Sequence, residues 1–181
     1  DITPSAITFK GSVVVFRNTG SWGQTQIIYG NTFGNPKFGD TLAISTNRIN
    51  VGAFLDDYEN AGANHIFTIN PTTFIATQED KLVFNTVVSN GNQGHYVSVA
   101  TAGSFIVGSK SINSGAYVGF IYDYNSSTQT YIKTNVIISS SSLSSTYCYV
   151  AISGDGNFAA ISKPNVDNIG EVRTLSKQNG S

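Results

Sequence analysis

Residues 38–67 read FGDTLAISTNRINVGAFLDDYENAGANHIF. Within FGDTLAIS the apolar side chains of Leu42 and Ile44 fall two apart, and within RINVGAF those of Ile49 and Val51 do the same. A period of two places alternate side chains on opposite faces of an extended chain, so each segment reads as a strand. Thr46 and Asn47 between them are turn residues, so the pair reads as a hairpin. A third strand, GANHIF, follows an acidic connection and opens on Gly62.

The same order of segments recurs along the chain. GSVVVF from Gly11 returns as GANHIF at Gly62, GAYVGF at Gly115 and GEVRTL at Gly170, spaced by 51, 53 and 55 residues. FGDTLAIS aligns with QGHYVSVA (93–100) and TYCYVAIS (146–153), and RINVGAF with SFIVGSK and NFAAISK across the turns TN, TAG and GDG. Further β-prone stretches, QTQIIYG, KLVFNTVVS and TYIKTNVIIS, give each period about four strands. No run of ten or more residues has helical spacing with capping residues at its ends. The expected fold is all-β, with antiparallel four-stranded repeats in a β-propeller-like arrangement, and a β-sandwich or jelly roll is the alternative. Residues 1–181 are expected to form a single domain with repeats at about 11–61, 62–114 and 115–169 and a final strand at 170–175. Leu42, Ile44, Val51, Val97, Val99, Val107, Val150 and Ile152 are the expected core.

The unit at 38–67 resembles the FG-GAP repeat found in integrin α-chain propellers and many surface proteins. It carries a Phe-Gly opening (Phe38-Gly39), INVGAF in place of the Gly-Ala-Pro turn, and a Gly-led following strand. The second unit keeps Gln93-Gly94 and Val107-Gly108-Ser109 at these places, and the third keeps neither. The resemblance implies a propeller that binds through loops at its faces. Calcium-binding members carry an Asp-x-Asp-x-Asp-Gly type of loop, which this sequence lacks. Asp56, Asp57 and Glu59 before Gly62, and Asp167 before Gly170, are the oxygen ligands a calcium ion would use; otherwise these loops are solvated and no cofactor is expected.

Charged residues make up 12% of the chain, about half the usual share, and the net charge is -1. No cluster of Lys or Arg exists to hold nucleic acid or an anionic membrane, and no apolar run is long enough to insert in a bilayer. The chain begins at Asp1 and contains no Met, which suggests a mature product or a piece of a longer chain, secreted or displayed on a cell or virion surface. The single Cys148 reads as a small buried hydrophobe, and Asn125 and Asn179 open glycosylation sequons.

Neither His65 nor His95 has a metal-binding spacing, and no nucleophile elbow or phosphate-binding loop occurs. A carboxylate pair for glycoside hydrolysis could come only from acids such as Asp56, Asp57, Glu59 and Asp155, so an extracellular hydrolase is the remote reading. Trp22 in the turn-like NTGSWGQ, Tyr58, and Tyr122 and Tyr124 in the loop-like IYDYNSS are the candidate stacking surfaces for a protein or glycan ligand. The function expected is a non-catalytic binding or structural module, self-associating or part of a longer chain.

Overall fold

Alternation with a period of two marks many of the strands, such as Ser12–Asn18, Phe38–Ser45 and Glu171–Ser176, and no helix is found among the described residues. The computed structural model describes residues 11–30, 37–53, 56, 62–83, 96–100, 103, 105–110, 117–138, 149–163 and 170–177. No helix among them is long and apolar enough to cross a membrane.

β1 (Ser12–Asn18) and β2 (Trp22–Tyr29) form a two-stranded ribbon. β3 (Phe38–Ser45), β4 (Arg48–Ala53), β5 (Ala63–Ile69) and β6 (Ala76–Val83) form a four-stranded sheet in chain order. A second such sheet holds β7 (Tyr96–Val99), β8 (Phe105–Lys110), β9 (Tyr117–Asn125) and β10 (Thr130–Ile138). The last sheet has three strands, β11 (Tyr149–Ile152), β12 (Phe158–Lys163) and β13 (Glu171–Ser176). Every ladder is antiparallel and joins strands consecutive in sequence. Such local pairing keeps the loop-closure cost of each sheet small.

The Phe-Gly opening has a structural role. Phe38 is buried and meets the rings of His65 and Phe67 edge to face, with centroids 5.1 and 6.3 Å away. Between Phe38 and Thr41 the pairing with β4 slips, and Gly39 turns through this bulge with φ of 86°. A Cβ on Gly39 would stand 2.9 Å from the Ser12 carbonyl oxygen, and one on Gly11 only 1.9 Å from that of Phe38. Glycine at both places lets β1 and β3 approach backbone to backbone.

The sheets stack face to face in chain order. Val13, Val15 and Ile28 of the ribbon share one core with Ile49, Val51, Ala53, Phe67 and Ala76 of the β3–β6 sheet. On the opposite face of that sheet Ile66 joins Phe120 and Tyr122, with Val97, Val99 and Tyr131 against them. Ile121, on the far side of β9, packs with Ala159, Ile161, Val150, Ile152 and Leu175. The first strands of successive sheets lie together, β3 beside β7 and β7 beside β11. Gln26 fastens the ribbon to β6, accepting from the Ala76 amide at 2.7 Å and donating to its carbonyl at 3.0 Å.

Of the expected core, Val51 is fully buried, and Val97, Val99, Val150 and Ile152 pack at its margins. Leu42 and Ile44 are exposed instead, at 52% and 64%. They lie on the ribbon-facing side of β3, where two strands are too few to reach across the sheet. The side chain of Val107 lies outside the described residues, as does Cys148. The sheets begin at Phe38, Tyr96 and Tyr149, so a period counted from the Gly-led strand covers the end of one sheet and the start of the next.

Candidate functional site

Three groupings of polar and aromatic side chains follow from this stacking. The first is the seam between the two four-stranded sheets. Arg48, the first residue of β4, points at the β7–β10 sheet, with its guanidinium 4.0 Å from the centroid of Tyr124. It donates to the Glu79 carboxylate at 3.2 and 3.4 Å, and Thr68 donates to the same carboxylate at 2.8 Å. Tyr124 and Tyr131 are cross-strand partners in β9 and β10, with ring centroids 5.1 Å apart.

Desolvation raises the Glu79 acid, but the hydrogen bonds from Arg48 and Thr68 and the nearby positive charge outweigh it, leaving its pKa below the ordinary value. The Arg48 pKa is lowered by burial and raised more by Glu79 and the phenols, so it stays charged. Burial, with the Glu79 charge, pushes the Tyr131 phenol well above its usual range. The seam therefore presents an ionised acceptor, a cation stacked on Tyr124 and the protonated Tyr131 phenol. It holds ring faces and hydrogen-bonding groups fixed by one another.

The second grouping lies inside the β3–β6 sheet, on the face toward the ribbon. Asp56 is buried; its carboxylate is 2.7 Å from Nε2 of His65 and 3.2 Å from Nζ of Lys81. His65 and Lys81 are paired across β5 and β6, which brings both to one carboxylate. The Asp56 amide donates to Ala53 at 2.9 Å and its carbonyl accepts from Gly62 at 2.8 Å, tying the exit from β4 to the entry of β5. On the other face Asn64 donates to Asn50 at 2.9 Å; both are buried, and Nδ2 of Asn50 has no partner among the described residues. A buried carboxylate held by two cationic or hydrogen-bonding groups pins a fold.

The third grouping is an exposed face of the ribbon. Val14, Phe16, Ile27 and Tyr29 share it with Trp22, which is 72% exposed.

The expected ligand-contact residues separate accordingly. Trp22 opens β2 as a strand residue just after the turn at Thr19–Ser21. Tyr122 and Tyr124 belong to strand β9, and the turn follows only after Asn125, whose Oδ1 accepts from the amides of Ser127 and Thr128. Tyr122 is core, while Tyr124 reaches the seam. Asp56, read as a solvated loop acid, is interior, its carboxylate held by Lys81 and His65. Tyr58, Asp57, Glu59, Asp167, His95 and Asn179 lie outside the described residues. Among the described residues no three His, Cys, Asp or Glu side chains gather as metal ligands. Asp155 caps its own turn, accepting from Ser153 and Asn157, so it belongs to a different sheet and a different task from Asp56.

The seam is absent from the sequence reading apart from Tyr124. Arg48 and Glu79 are 31 residues apart, and only the sheet order brings them together. The available signal was charge: Arg48 opens a strand in a chain with few charged residues. No family model matches the chain, and no curated protein matches it.

Proposed function

We propose that the chain is a non-catalytic binding or structural module of propeller-like build, resembling FG-GAP repeat proteins, which recognises a protein or glycan at a secreted, cell or virion surface. The observation that supports this reading most is the stacking of successive sheets with the same local strand order through equivalent first strands, β3, β7 and β11. Propeller blades have this order, whereas a β-sandwich normally pairs strands distant in sequence. The ligand surface assigned is the seam of Arg48, Thr68, Glu79, Tyr124 and Tyr131, because polar groups held in place around ring faces lose little freedom on binding.

The test is capture of glycans on an array and of proteins from cell-surface extracts by the immobilised chain. A specific ligand should be retained, and Tyr124→Ala should weaken its binding at least about tenfold, near 1.4 kcal/mol. Retention of nothing, or retention indifferent to Tyr124→Ala and Arg48→Ala together, contradicts the assignment.

A further inference from the structure

Each sheet within the chain meets the next in one sense: the face turned toward the C-terminus covers the N-facing side of its successor. Two faces are left over. At the N-terminal end, pairing of Val14 with Ile27, Ser12 with Tyr29, Phe16 with Gln24 and Asn18 with Trp22 places these residues on the side of the ribbon away from Val13, Val15 and Ile28. At the C-terminal end, pairing of Tyr149 with Ser162, Ala151 with Ala160, Ser162 with Val172 and Phe158 with Ser176 defines the side of the β11–β13 sheet away from Ile161. Neither set contains a charged residue.

Exposure is concentrated on these faces. Phe16 at 54% and Trp22 at 72%, with Val14, Ile27 and Tyr29, crowd the first face; Phe158 at 62% and Val172 at 67%, with Tyr149, crowd the second. Between the stacked sheets Ile66, Phe120, Tyr122 and Ile161 are buried, and only Leu42, Ile44 and Ile132 are exposed there among the large apolar side chains described. Contiguous exposed apolar surface of this kind marks an interaction site.

We infer that a second copy of this chain docks head to tail, seating the outer face of its β1–β2 ribbon on the outer face of the β11–β13 sheet of the first. The contact continues the sheet-on-sheet interface already made within the chain. It follows the same sense, C-facing side onto N-facing side, and opposes two uncharged faces, so no charge is desolvated. An association between unlike faces leaves one of each free, and further copies add until a ring closes or a filament grows. This inference stands apart from any ligand at the seam.

The only tryptophan of the chain reports on it directly. The full chain should gain mass with concentration across the micromolar range in sedimentation, while the emission of Trp22 shifts to the blue. Trp22→Glu spoils the ribbon face and Val172→Glu spoils the face of the last sheet. Each variant alone should remain a single chain with an unchanged β-type circular dichroism spectrum. Mixed, they should form a one-to-one dimer, since each retains the face the other lacks, and the Trp22 of Val172→Glu should shift to the blue. Phe16→Lys and Phe158→Lys form a second pair with the same expectation, should either glutamate variant fail to fold. A wild-type chain that stays at 19.3 kDa throughout, a single variant that associates as wild type does, or a mixture of folded variants that stays monomeric overturns the inference.

Discussion

At Asp56 a carboxylate, an imidazole and an ammonium meet in an interior that leaves the acid only 1% exposed. Removing one member of a buried charged group strands the others, at a cost of about 3 kcal/mol or more. Asp56→Ala should lower the free energy of unfolding by that amount in urea titrations; a loss below about 1 kcal/mol would show that the group is open to water. Glu79 carries the pH dependence. Its acid is held below the ordinary 4.5, so its stabilising contribution is complete above that pH and fades as pH falls through the lowered value. The gap in urea midpoint between wild type and Glu79→Gln should therefore be widest near neutrality and narrow in acid. A gap that widens on acidification would reverse the sign derived from Arg48 and Thr68. At this scale the sequence could be read only in part. His65 was legible as a residue of the strand GANHIF with no metal-binding spacing, but Asp56 stands in an acidic run, LDDYE, and looks solvated until Lys81 is seen beside His65 in the sheet.

The hairpins at β3–β4, β7–β8 and β11–β12 were legible because alternation and turn residues are local signals. β6 was not: its sequence, ATQEDKLV, is mostly polar since it forms the outer edge of its sheet, where charge discourages further pairing. The stretch KLVFNTVVS read as the strand in its place, and only its first three residues fall within β6. The entry to β3 is the element most open to test. Phe38→Ala removes a buried ring from contact with His65 and Phe67 and should cost about 3–5 kcal/mol. Gly39→Ala removes no contact, yet it forces a side chain to φ of 86° against the Ser12 carbonyl, and should cost about 1–3 kcal/mol. Equal stability of Gly39→Ala and wild type by thermal melting would show that the bulge does not set the approach of β1 to β3.

Over the whole molecule, the repeat was legible as a beat of about fifty residues, and the all-β class with antiparallel sheets follows from it. What a repeat cannot show is which copies of a position are covered. Leu42 and Ile44 occupy the places that Val97 and Val99, and Val150 and Ile152, occupy in later units, yet only the later ones have a full neighbouring sheet. Burial here depends on the adjoining unit, a property of order along the chain that residue type does not encode. The central claim is that order: apolar faces are buried by sheets that succeed one another in sequence. Nuclear Overhauser contacts between labelled methyl groups measure it most directly. Cross-peaks should join Val15 with Ile49, Ile66 with Val97 or Val99, and Ile121 with Ile161, each linking consecutive sheets. Strong cross-peaks from Ile49 or Val51 to Ile161, with those three sets missing, would place the β3–β6 and β11–β13 sheets against each other and contradict the account.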